Sequence, residues 1–161
     1  MNNERKWILR GGRVLNPAPF CLIGIVNVTP DSFSDGGKYI DPRNAVAHGL
    51  RLLDEGAGML DLGAESTRPF AEPVPEGEEI ARLMPVVARL REQRPDAVLS
   101  VDTLKAGTAR AALEGGADII NDVSACVADP ALLDVLAEYK PGYVLMHSQG
   151  SPREMQVNPR Y

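Results

Sequence analysis

What this sequence has little of narrows it first. Only 2 cysteines and 2 histidines occur among its 161 residues. Cys21 and Cys126 are far apart with no Cys-x-x-Cys spacing, and His48 and His147 have no partner at metal-ligand spacing, so no zinc site is inferred. The thiols read as reduced and structural. Basic residues are also short: 17 Lys and Arg against 22 Asp and Glu give a net charge of -5, which argues against a nucleic-acid surface. No apolar run approaches the roughly 18 residues of a membrane span. The polar start Met1-Asn2-Asn3-Glu4-Arg5-Lys6 does not look like a signal peptide. No membrane association and a cytoplasmic location are therefore expected. Phosphate-loop and nucleophile-elbow motifs are missing as well.

What is present is an ordinary globular composition, 44% hydrophobic and 24% charged, enough for one domain. It falls short of the about 250 residues of a complete (β/α)8 barrel. Gly11-Gly12 between Trp7-Ile8-Leu9 and Arg13-Val14-Leu15 predicts a small antiparallel hairpin over 5 to 16, closed by Pro17 and Pro19. The expected organisation is an N-terminal hairpin over 1 to 19 and an α/β domain over 20 to 161.

In that domain short apolar runs alternate with helical periodicity. The runs are Cys21 to Val26, Met59 to Leu62, Val98 to Val101, Ile119-Ile120 and Tyr143 to Met146. Asp41-Pro42 caps a helix predicted over 42 to 55. Ile80, Leu83, Val87 and Leu90 mark a second helix, with Glu76, Glu78 and Glu79 complementing its dipole. Shorter helices are predicted over 104 to 114, ended by Gly115-Gly116, and over 130 to 139, ended before Pro141-Gly142. Such alternation implies a parallel sheet with right-handed crossovers. Length alone favours an open sheet. The polar residues Asn27, Asp61, Asp102, Asn121 and His147, however, each fall near the C-terminal end of a different strand. An open sheet gathers its site at one crevice, whereas a barrel gathers it from every strand end. The expected fold is therefore α/β, a partial (β/α)8, or TIM, barrel of about five strands and four helices.

Three polar side chains embedded in apolar strands, Asp61, Asp102 and Asn121, are costly to bury without partners. A flat heterocycle with amino and ring N–H donors is such a partner. The loop Asn27 to Gly37 holds two carboxylates, an amide and an aromatic, a mixture suited to a lid. Glu65-Ser66-Thr67-Arg68-Pro69 offers hydroxyls and a guanidinium for an anion.

These segments, with Ser100-Val101-Asp102-Thr103, Ile120-Asn121-Asp122 and Leu145-Met146-His147, appear in the order and spacing of one family. The sequence resembles dihydropteroate synthase, the folate-biosynthesis enzyme and sulfonamide target, over essentially its whole length. The resemblance implies a transferase that condenses 6-hydroxymethyl-7,8-dihydropterin diphosphate with 4-aminobenzoate and releases diphosphate. It implies that Asp61, Asp102 and Asn121 grip the pterin, with Met146 lining its pocket, and that Asn27 helps hold Mg2+ on the diphosphate. It places Thr67 and Arg68 near the leaving group, and Phe33, Ser34, Asp35 and Pro69 in loops closing over the aminobenzoate. Asp35, Arg68 and Asp102 are the expected catalytic residues.

Ala64 and Phe70 depart from the family pattern, and Phe70 adds bulk beside the second loop. The resemblance ends just past the fifth strand. It implies an N-terminal portion that is inactive alone, with the contact of the expected homodimer in the part not present. The alternative is a pterin-binding module related to methyltetrahydrofolate methyltransferases, which lack the Asn27 to Gly37 segment.

Overall fold

The computed structural model describes residues 6–29, 41–65 and 73–147. Strands β1 (Trp7–Ile8) and β2 (Val14–Leu15) pair antiparallel as the expected hairpin. Its turn is a single 3-10 turn at Arg10–Gly12, and Gly11 and Gly12 take φ of 71° and 80°. Both angles lie in the left-handed region where a Cβ is costly, so the glycine pair is what lets the chain reverse here.

Four strand-helix units follow: β3 (Ile23–Asn27), α1 (Pro42–Asp54), β4 (Met59–Gly63), α2 (Glu76–Gln93), β5 (Leu99–Asp102), α3 (Ala106–Glu114), β6 (Ile119–Asp122), α4 (Leu132–Tyr139) and a closing β7 (Gly142–Leu145). The first strand starts later than its apolar run predicts, at Ile23 instead of Cys21. Helix α1 begins where Asp41-Pro42 places it, with the Asp41 carboxylate accepting from Arg43 N at 2.9 Å. Helix α3 ends at Gly115, and Gly116 follows with φ 102°.

All five long strands are parallel, in the spatial order β3-β4-β5-β6-β7. Spatial order equal to chain order leaves no point where the winding reverses, which is the barrel pattern and not the doubly wound one. The sheet with its helices is a partial (β/α)8 barrel.

Alternation along the strands separates two cores. Val26, Leu60, Leu62, Leu99, Val101 and Ile120 face the helices and pack with Leu83, Val87, Leu90 and Leu113. The opposite face holds Met59, Val98 and Ile119, which pack against Leu9 and Leu15 of the hairpin. The hairpin thus fills that face at the N-terminal ends of the strands. Asp118 fastens it there: its carboxylate pairs with Arg13 Nε at 3.2 Å and Arg91 Nη2 at 2.9 Å, and accepts from Leu99 N at 3.0 Å. On the same face of the edge strand β3, Ile23 and Ile25 remain exposed.

Candidate active site

Register decides which polar side chains meet. Asn27 lies beside Gly63, Gly63 beside Asp102, and Asp102 beside Asn121, in one row across four strands. The period of two puts Asp61, Ser100, Asp102 and Asn121 on the hairpin's face of the sheet, nearer the C-terminal strand ends. A Cβ at Gly63 would stand in ordinary contact with Asp102, 3.7 Å from its Cβ.

Asn121 Nδ2 donates to Asp61 Oδ2 at 3.0 Å, across the intervening strand β5. The bond commits one of the two amide hydrogens to Asp61 and orients the Asn121 carbonyl oxygen as an acceptor. Asp61 Oδ1 and Ser100 Oγ are buried and find no hydrogen-bond partner among the described residues. Asp61 and Ser100 occupy paired positions on β4 and β5. Two unanswered buried polar atoms side by side are the mark of a site awaiting a polar ligand or water.

Asp102 is the electrostatic centre. Burial first, and then the nearby carboxylates Asp61, Glu79, Asp122 and Glu65, push its pKa from 3.8 up to about 7. It therefore changes charge near neutrality, which is where a binding or proton-handling carboxyl is useful. Asp122, one residue beyond Asn121, is opposite in character. Burial works to raise its pKa, but hydrogen bonds from Ser124, Cys126 and Tyr143 outweigh that and hold it low. Its oxygens accept from Ser124 N at 2.7 Å, Cys126 N at 2.6 Å and the Tyr143 hydroxyl at 2.9 Å. This knot shapes the loop after β6, where Ala125 and Cys126 take φ of 53° and 61°. Both cysteines are free thiols.

Of the residues singled out by sequence, Asn27, Asp61, Asp102, Asn121 and Met146 fall at this end of the sheet. Two placements differ in detail. Asp61 sits in the middle of β4, and the hydrogen bond to Asn121 is what brings it to the site. His147 lies two residues past the end of β7 and is exposed. Phe33, Ser34, Asp35, Thr67, Arg68 and Pro69, together with Phe70, lie outside the described residues.

A cluster that sequence reasoning missed adjoins the site. Lys105 Nζ contacts both Glu65 and the buried Glu79, the latter at 2.7 Å, and Thr108 Oγ1 donates to Glu79 at 3.1 Å. Glu79 lies in the first turn of α2 as expected, and it is 1% exposed. The signal was present in its spacing. Glu79 stands at helical intervals from Leu83, Val86 and Leu90, on the buried stripe of α2.

The described residues contain no group of three or more His, Cys, Asp or Glu able to hold a metal, and no helix among them is long and apolar enough to cross a membrane.

Comparison with known proteins follows the same residues. The family profile described as pterin binding enzyme matches residues 23–161. A dihydropteroate synthase of Mycobacterium leprae is 50% identical over 130 residues, covering 81% of this chain and 45% of that protein. A solved Xanthomonas albilineans dihydropteroate synthase with 4-aminobenzoic acid superposes with a TM-score of 0.80 at 48% identity, over 90% of this chain and 54% of that one. A Yersinia pestis dihydropteroate synthase in complex with a sulfonamide drug gives a TM-score of 0.83 at 41% identity, over 98% of this chain and 56% of that one. The chain spans about half the length of the curated relatives it matches.

Proposed function

Because the chain belongs to the pterin binding enzymes, we propose that it carries the pterin-binding part of a dihydropteroate synthase. The reaction joins 4-aminobenzoate to 6-hydroxymethyl-7,8-dihydropterin diphosphate. The arylamine nitrogen attacks the pterin methylene carbon, the carbon-oxygen bond breaks, and diphosphate leaves with the electron pair. The new secondary amine then loses its extra proton. A neutral amine attacking an activated carbon needs no protein nucleophile, and the site's chemistry is of acceptors and carboxylates.

The observation that carries this reading is the Asn121-Asp61 hydrogen bond beside Asp102. It leaves the Asn121 carbonyl, Asp61 Oδ1 and the Asp102 carboxyl as acceptors on one face of the sheet. A pterin edge presents amino and ring N–H donors that match them. Ionised Asp102 takes two of those donors, and its negative charge stabilises the electron-poor pterin as diphosphate departs. Met146 follows Val144 on the same face as Asn121 and supplies an apolar wall. Thr67, Arg68, Asp35, Phe33, Ser34 and Pro69 are assigned, by resemblance of their segments, to the leaving group and to the aminobenzoate.

Asn27 ends β3 in the same row as Asp102 and offers one neutral oxygen. One hard oxygen suits Mg2+ that is held mainly by substrate phosphates and water. Asn27 would help hold such an ion, which would supply charge neutralisation at the diphosphate. The same reading places the protein in the cytoplasm, and the whole protein as a homodimer acting on small molecules, with neither nucleic acid nor membrane as a partner.

Calorimetry of 6-hydroxymethylpterin binding to the chain tests the assignment. Asn121→Ala weakens binding at least tenfold, because one acceptor is lost and Asp61 loses its partner. Unchanged affinity refutes the site. In a protein that contains this chain and makes dihydropteroate, Arg68→Ala lowers turnover more than pterin affinity. Equal losses would show that the second loop is misplaced.

A further inference from the structure

The carboxylates near Asp102 come from both neighbouring strands, the segment after β4 and α2. Asp61 belongs to β4, Glu65 follows β4, Glu79 lies on α2 and Asp122 ends β6, and all four raise the proton affinity of Asp102. The neighbouring charged groups are already committed elsewhere. Arg82 of α2 donates to the Ala64 carbonyl at 3.0 Å and pairs with Glu78. Asp129 and Glu76 accept from Ala106 N and Gly107 N, both at 2.8 Å, at the start of α3.

Lys105 is placed differently. Its backbone N donates to Thr103 Oγ1 at 3.2 Å, which fixes the short link between β5 and α3. Its ammonium reaches Glu65 and Glu79 together, with side-chain exposures of 23%, 24% and 1% for Lys105, Glu65 and Glu79. Burial works to lower the pKa of Lys105, but the hydrogen bonds to Glu65 and Glu79 outweigh it, so the amine stays charged.

We propose that Lys105 is a positioning residue of the site: it ties Glu65, just past β4, to the buried Glu79 of α2, fixing both the place and the charge balance of the carboxylates around Asp102. Lys105 has no contact with the pterin in this scheme and acts through Glu65 and Glu79. The proposal rests on the pterin-site reading only for its effect on ligand affinity.

The test follows the Asp102 carboxyl by 13C NMR titration in the unliganded 161-residue chain, then measures 6-hydroxymethylpterin affinity against pH. Lys105→Gln removes the counter-charge and moves the Asp102 midpoint upward by about half a pH unit or more, roughly threefold in proton affinity. Glu65→Gln removes a carboxylate and moves it downward by a similar amount. Lys105→Arg, which keeps the charge and both contacts, leaves it in place. The pterin pH profile moves with the midpoint in each case. A merely structural role moves Lys105→Gln and Glu65→Gln in the same direction or neither, and either result overturns the proposal. If Lys105→Gln does not fold around the uncompensated Glu79, Glu65→Gln decides, and an unmoved midpoint there overturns it too. A chain that binds no pterin refutes the functional reading, while the NMR midpoints still judge Lys105.

Discussion

Replacing Asp102 by asparagine should make this fold more stable above neutral pH while weakening the pterin site. The carboxyl loses its proton at 3.8 in an unfolded chain and at about 7 in the folded one, because burial and the surrounding carboxylates oppose its charge. Between those values the folded state holds a proton that the unfolded state has released. Stability therefore falls as pH rises from about 4 to about 7, and the contribution of this group is flat outside that window. The displacement corresponds to about 4 kcal/mol at full strength. Solvent and side-chain relaxation reduce it, so a gain of about 2 to 4 kcal/mol for Asp102→Asn is expected at pH 8. At pH 4 the difference should have shrunk to about 0.6 kcal/mol, since Asp102 is then neutral in the folded state and a little over half ionised in the unfolded one. Urea denaturation of both proteins at pH 4, 5, 6, 7 and 8 measures this directly, and taking the difference cancels the titrating groups that do not interact with Asp102. A difference independent of pH, or a variant less stable than the wild type at pH 8, would refute the reasoning. Such a gain is the expected signature of a residue kept for function at the expense of stability.

Three further outcomes are expected. Pterin affinity should require ionised Asp102, so Kd at pH 6 should be about tenfold weaker than at pH 8, given a midpoint of about 7; calorimetry across pH reads this, and the dependence should vanish in Asp102→Asn. Ala125→Gly should stabilise the fold by about 1 kcal/mol, because residue 125 has φ 53° and the left-handed conformation costs an alanine more than a glycine; a urea midpoint that falls would show that its methyl group packs usefully. Gly142→Ala should destabilise by about 2 kcal/mol through overpacking, since its Cβ would lie 2.7 Å from Leu9 and 2.9 Å from Ile119; a change smaller than about 0.5 kcal/mol would mean that the hairpin yields freely.

The parts of this fold legible in sequence are those set by local chemistry. Asp41-Pro42 specifies a helix start because aspartate accepts from the first-turn N–H groups and proline needs no donor there. Gly11-Gly12 specifies a reversal because only glycine takes its angles at little cost. The apolar runs and polar strand ends imply a barrel-like sheet, and the observed strand order agrees. What was not legible depends on register and on neighbours distant in the chain. Asn121 and Asp61 are 60 residues apart, and only the stacking of β4, β5 and β6 brings the amide to the carboxylate. Ala125 and Cys126 carry no letter code for positive φ; the Asp122 knot imposes it. Glu79 fits a helix-start acid by charge, but its burial depends on its place on the apolar stripe of α2 and on Lys105, 26 residues further along the chain, as its partner.

The hairpin has a consequence for the order in which the molecule assembles. Its docking surface is composed of Met59, Val98 and Ile119, and Gly142 at the start of β7 lies against Trp7 and Leu9. A ribosome makes the hairpin before the sheet, yet the last piece of the surface that receives it is made more than a hundred residues later. Until then Leu9 and Leu15 have no complete partner, and the nascent chain carries them exposed. Docking of the hairpin thus has to wait for β7, and its long loop closure is a slow step. The hairpin acts as a clasp that shuts only when the sheet behind it has been laid down through β7.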